Sequence, residues 1–238
     1  MRDQVLEEFT ERLGSAHGAH LVSVILYGDA AVGAGAKGAH ARRILVVLDR
    51  ITPPDLRAAH DAFAEWTAAG NPPPVYFTTA EIAEASDVFP MEFLDMMDRR
   101  RVLAGRDVLD GHVVSTQNLR HQIEYELRGG LIRLRRLYIP SSEDPARLSK
   151  MLVESLGTFA RLFRFALGLV GASAPVSQRE IVQASVARFA LDGAPFESIL
   201  STLESGKVMT EAQAHACFGA YIEQIERVIE AVDKVPQA

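Results

Sequence analysis

The hydrophobic pattern of this chain changes once, near residue 115, and that change limits its architecture more than any other feature. Upstream, strand-length apolar runs alternate with segments of helical period. Val5, Leu6, Phe9 and Leu13 make the apolar stripe of a first helix. Leu21 to Tyr27 is a β-branched run of strand length, and Ile44 to Leu48 is apolar at every position, as a strand buried on both faces would be. Thr52-Pro53-Pro54-Asp55 reads as a helix start, with Leu56, Ala59, Phe63 and Trp66 as that helix's buried stripe. Val75 to Thr78 is a third strand, Thr78-x-x-Glu81 a capping box, and Arg101 to Ala104 a last short strand. Downstream, apolar residues recur only every three or four positions: Leu119, Ile123, Leu127, Leu131, Leu134 and Tyr138, then Leu148, Leu152, Leu156, Phe159, Phe163 and Leu167. Ser177-x-x-Glu180 and Thr210-x-x-Gln213 each open a further helix, the last carrying Cys217, Tyr221, Ile225, Val228 and Val232, and a shorter one covers Phe196 to Leu203. The fold class expected is α+β: a mixed-sheet domain over residues 1–114, then an all-α antiparallel bundle over 115–238.

Composition narrows the function classes. With 48% hydrophobic and 24% charged residues, the chain has the makeup of a globular protein. Its net charge of −6 supplies no global field toward nucleic acid or anionic lipid, although a local basic patch is compatible with it. A single cysteine, Cys217, excludes an internal disulfide framework and any thiolate-rich zinc site within one chain. Met1 to Leu13 mixes acids with apolar residues and does not read as a signal peptide. The longest apolar stretch, Phe165 to Pro175, is far short of the roughly 20 residues of a membrane span. A cytoplasmic protein without a membrane partner is expected.

The segment from Leu21 to Asp49 carries the chemistry, and two readings compete for it. Gly33-x-Gly35-x-x-Gly38 matches the letters of a dinucleotide fingerprint. Its context does not fit: five residues separate Tyr27 from Gly33, and only five separate Gly38 from the next strand, too few for a crossover helix. A phosphate-loop pattern fails as well, because Ala34 follows Gly33 where a lysine is needed.

The second reading starts from a strand, Tyr27-Gly28, a glycine-rich excursion and a strand ending Leu45-Val46-Val47-Leu48-Asp49. This arrangement resembles the nucleotidyltransferase superfamily of DNA-polymerase-beta type, including the kanamycin nucleotidyltransferases and the small bacterial MNT-type proteins. The resemblance implies a glycine turn after the first strand that lets the backbone approach a triphosphate. It also implies two aspartates, spaced i and i+2 at the start of the second strand, that hold the catalytic metals. Gly28 matches the family glycine, and Asp29 stands where serine or glycine is usual. The two aspartate positions fall on Ala41 and Arg43, and neither can ligate Mg²⁺, which requires hard oxygen donors. Val75 to Thr78 offers no third carboxylate. The segment Phe89 to Asp95, followed by Arg101 to Gly105, resembles the end of this domain in bacterial relatives. The helical half resembles the helical domains fused to nucleotidyltransferases, of kanamycin-nucleotidyltransferase C-terminal or HEPN type.

Other candidates have plainer readings. Arg120, Arg128, Arg133, Arg135 and Arg136, interleaved with Glu124 and Glu126, can line a phosphate cleft, but a solvated face with compensating ion pairs is favoured. Adjacent Arg120 and His121 do not reproduce the spaced pair of HEPN ribonucleases. His215 and Cys217, two apart on a helix, face different sides, and Cys217 reads as core. Asp95 and Asp98 can share a helix face around a cation, but ordinary surface acids are the favoured reading; Glu92 is the one acid near a displaced third carboxylate.

Three functions follow. The first is a nucleotidyltransferase-like pseudoenzyme without an intact catalytic residue or metal site, binding a nucleotide, RNA or protein. Its nucleotide- or phosphate-binding residues would be Gly28, Asp29, Arg42 and Arg43, with no cofactor. The second is an active Mg²⁺-dependent enzyme that recruits Asp29, Asp49 or Glu92. Asp49, however, lies roughly 20 Å along its strand from position 43 at about 3.3 Å per residue. The third is a structural protein that binds a partner, or a second copy, through its helical half.

Overall fold

A computed structural model describes residues 2–32, 42–173, 175 and 177–235. The chain divides into two compact units, Met1–Ser115 and Thr116–Ala238. The first contains α1 (Arg2–His17), β1 (Leu21–Tyr27), β2 (Arg43–Leu48), α2 (Pro53–Ala58), α3 (His60–Ala68), β3 (Val75–Thr78), α4 (Thr79–Ala85), α5 (Pro90–Asp98) and β4 (Arg100–Gly105). Its four strands form one mixed sheet in the order β3-β2-β1-β4. β1 runs antiparallel to β2 and β4, while β2 and β3 are parallel.

Alternation along the strands sends side chains to two cores. Val24, Leu26, Ile44, Val46 and Leu48 pack on one face against Leu6, Phe9 and Leu13 of α1 and Ala62 and Trp66 of α3. Ile25, Tyr27, Leu45 and Val47 pack on the other against Ile82 of α4 and Phe93 and Met96 of α5. This double coverage is why β2 is apolar at every position after Arg43. The helix expected after Thr52 does begin with a capping box, its acid being Asp55, but it breaks at Ala59. Ala59 and Trp66 are buried as expected and Ala62 joins them, whereas Leu56 and Phe63 are exposed; Trp66 stacks on Phe9 at 4.3 Å. Val5, also expected inside, is exposed at the margin of the α1 stripe.

The second unit holds α6 (Thr116–Ser141), α7 (Pro145–Leu169), α8 (Gln178–Phe189), α9 (Ala194–Ser205) and α10 (Glu211–Asp233). The contacts Arg120–Asp233, Arg135–Glu226 and Tyr138–His215 run in opposite senses along α6 and α10, so these helices are antiparallel. Three starts are capped by side chains: Asp144 accepts from the Ala146 and Arg147 N–H groups, and Ser177 and Thr210 form the two boxes read from sequence. Each cap satisfies donors that would otherwise be orphaned and stabilises by about 1 kcal/mol. Phe159, Phe163, Phe196 and Tyr221 meet at tilted and edge-to-face angles in the centre, with centroids 5.6–6.3 Å apart. Among the described residues, no helix is long and apolar enough to cross a membrane.

At the end of α1, His17 is buried with its Nε2 3.4 Å from the Tyr76 hydroxyl, and its Nδ1 has no hydrogen-bond partner. Burial holds its pKa below the ordinary 6.5; the nearby Asp55 opposes this and His20 adds to it. The unfolded chain therefore binds the proton more readily than the folded one. This contribution to stability is complete above pH 6.5 and is lost as the pH falls below that value toward the folded-state pKa. Urea unfolding at a series of pH values should show wild type losing more stability on acidification than His17→Leu. Equal losses would show that His17 is not a source of the acid sensitivity.

Candidate functional site

β1 ends at Tyr27, and the next residue, Gly28, has φ +79°, a left-handed value that favours glycine. Its N–H donates to the Arg99 carbonyl at 2.8 Å and its own carbonyl accepts from the Ala31 N–H at 3.0 Å, opening a short 3-10 turn over Asp29–Val32. Space demands glycine as well: a Cβ here would lie 2.7 Å from Nη2 of Arg43. Arg43 is the first residue of β2 and is paired with Tyr27 across the ladder. Its guanidinium carbon stands 5.2 Å from the centre of the Tyr27 ring, within cation–π range. Nη1 donates to Oδ2 of Asp95 at 3.3 Å. The Asp95 side chain is 4% exposed and that of Arg43 35%, so the pair joins a buried carboxylate to a cation that still reaches solvent.

The carboxylate that Arg43 engages, Asp95, comes from α5. Asp95 is thereby corrected from a surface acid to a buried one. It lies on the inward face of α5 between Phe93 and Met96, and the arginine supplies the charge that makes its burial tolerable. The signal was present: Asp95 follows Met91 by four residues, on the apolar stripe of that helix. Asp98 does not join Asp95 around a cation, being exposed and paired with Arg99 at 3.5 Å. Glu92 is half-buried on α5.

On the other side of β1, Tyr27 pairs with Arg100 of β4. The Arg100 Nε donates to the Asp107 carboxylate at 2.9 and 3.2 Å, and its Nη1 donates to the Met97 carbonyl at 2.6 Å. Arg42 precedes β2 and is half-buried. Ala41 and the glycines of the dinucleotide-like pattern, Gly33, Gly35 and Gly38, lie outside the described residues. Asp49 is at the opposite end of β2, 3.0 and 3.1 Å from Nδ1 of His20.

At the described start of β2, Arg43 offers a guanidinium and no oxygen donor for a hard cation. A guanidinium stands at position 43 and engages the nearby Asp95 carboxylate. Among the described residues, no three His, Cys, Asp or Glu side chains gather to hold a metal ion.

In the helical unit, Arg128 pairs with Glu124 at 2.8 Å and Arg135 with Glu226, so these arginines belong to an ion-paired face. Arg120 departs from the expected solvated face: it is buried, with Nη1 3.4 Å from Glu124 and 3.5 Å from Asp233. Cys217 is buried with its thiol pKa pushed up to about 11, which leaves it a poor metal ligand or nucleophile at neutral pH. His215 Nδ1 is 2.9 Å from the Tyr138 hydroxyl.

No family model and no curated protein matches the sequence. Among solved structures, the chain is similar to a spectinomycin adenyltransferase from Enterococcus faecialis, solved with ATP and spectinomycin. The TM-score is 0.57 over 98% of this chain and 99% of that one, at 10% sequence identity. The fold is therefore nucleotidyltransferase-like: a mixed sheet with flanking helices followed by an all-helical part.

The site makes a stability prediction. Arg43 engages a buried carboxylate, so Arg43→Ala should cost about 1.5–3 kcal/mol. Urea unfolding of Arg43→Ala, Asp95→Ala and the double variant should show the double costing less than the sum of the singles by at least about 1 kcal/mol. Strict additivity would mean that the two groups do not stabilise each other.

Proposed function

We propose that this protein is a nucleotidyltransferase-like pseudoenzyme whose Gly28–Arg43 corner binds a nucleotide through its phosphates, without metal and without nucleotide transfer. The observation that carries the reading is the placement of Arg43. It occupies a position where the family resemblance calls for a metal-binding aspartate, and its guanidinium lies against the turn where the family's backbone approaches a triphosphate. Asp95 and the Tyr27 ring hold one side of that guanidinium, while Nε and Nη2 face Gly28. A pre-positioned guanidinium can fork two phosphate oxygens and supply positive charge that a metal would otherwise bring. The structural neighbour was solved with ATP, which makes ATP the first probe. The reading of an active enzyme that draws on Asp49 has no support in the geometry, because Asp49 is bound to His20 at the other end of β2.

Calorimetry with ATP in EDTA tests the proposal. Wild type should bind, and Arg43→Ala should bind tenfold or more weakly, as expected for the loss of about 1.5–3 kcal/mol from a charged hydrogen bond. No binding by wild type, or equal affinities, would overturn the phosphate role of Arg43. EDTA-sensitive transfer of label from ATP to an aminoglycoside or a protein would overturn the absence of catalysis. Acquisition of Mg²⁺ binding by the Ala41→Asp, Arg43→Asp double variant would support the alignment on which the reading rests.

A further inference from the structure

The side of α6 opposite its buried stripe carries large apolar side chains in solvent. Tyr125 is 75% exposed, Ile132 57% and Ile139 74%. With Gly129 and Arg136 they recur at spacings of four, three, four and three, which places all five within an arc of about 80° on one helix face. From Tyr125 to Ile139 the stripe runs about 21 Å at 1.5 Å per residue.

Gly129 is the anomaly in that stripe. A glycine in a helix interior costs roughly 0.5–1 kcal/mol relative to alanine. Its neighbour Gly130 has a reason within the chain, since a Cβ there would lie 3.1 Å from the Phe159 ring. Gly129 has none: nothing lies within 4 Å of the Cβ it lacks, and the position is exposed. A notch that nothing among the described residues fills, set in an apolar stripe, points to a backbone or side chain that approaches from outside.

We propose that this face of α6 pairs antiparallel with the α6 of a second copy of the chain, across a two-fold axis between Gly130 and Leu131. The occupant is identified by self-complementarity, because one axis satisfies several pairs at once. Ile132 enters the notch over the partner's Gly129, and the partner's Ile132 enters the notch over Gly129. Tyr125 lies against the partner's Arg136 in a cation–π contact. Along one flank, exposed Glu126 comes within about 3 Å, measured along the helix axis, of the partner's Arg133, and each contact occurs twice. Arg133 and Arg136, two of the arginines with phosphate-cleft spacing, become interface cations. The pairing is independent of the nucleotide site.

Analytical ultracentrifugation of the full chain across the micromolar range tests this. Wild type should sediment at twice the chain mass. Ile132→Glu and Gly129→Leu should each weaken the dimer by about tenfold or more. Gly129→Leu is the decisive variant: its added side chain meets nothing within the chain and leucine is the better helix former, so its melting temperature should hold or rise while the dimer is lost. Glu126→Arg should weaken association, and adding Arg133→Glu should restore it. A monomeric wild type, or a dimer indifferent to both Gly129→Leu and Ile132→Glu, would overturn the proposal. Failure of the charge swap to restore association would overturn the antiparallel register.

Discussion

Tyr27, the last residue of the central strand, is paired with Arg43 on one side and Arg100 on the other, and the corner of the sheet depends on that register. Two antiparallel neighbours start where β1 stops, so an arginine flanks Tyr27 on each side, just ahead of the glycine turn. A one-residue slip of β2 would turn Arg43 to the opposite face of the sheet, away from Asp95. Gly28 accommodates the register twice: its backbone turns with a positive φ, and its missing Cβ leaves the space that the Arg43 guanidinium fills.

The corner also shows how a buried carboxylate is retained. Moving an ion out of water costs several kcal/mol even after relaxation, so an acid on the apolar stripe of α5 persists only with its charge compensated. Arg43 provides that compensation while a third of its own side chain remains in solvent, which limits its desolvation. The same arginine is thus both a structural counter-ion and an accessible cation. A site of this kind couples the integrity of the fold to a cation that reaches solvent.

The helical unit is organised by different means. Capping side chains mark helix starts, and an aromatic cluster of Phe159, Phe163, Phe196 and Tyr221 gives the packing its geometry. Against this regular background, adjacent glycines in α6 have different explanations. Gly130 answers to Phe159 inside the unit, whereas Gly129 answers to nothing among its described residues.

Much of the fold was legible in the sequence because its signals are local. Apolar runs of strand length marked β1 to β4 and a period of 3.6 residues marked the C-terminal helices, and the capping boxes at Thr78, Ser177 and Thr210 placed helix starts to the residue. The residue types of the corner, Gly28 and Arg43, were likewise visible, since a glycine turn and a basic residue ahead of a buried strand are read from neighbours in the chain. What tertiary structure alone decided is non-local. Asp95 meets Arg43 across 52 positions, Arg120 goes inside between Glu124 and Asp233, and Ala62 is buried where Leu56 and Phe63 face out. Periodicity reports which face of an element is apolar, but burial of a charge depends on which opposite charge another element brings within reach, and that is fixed only when the strands and helices pack.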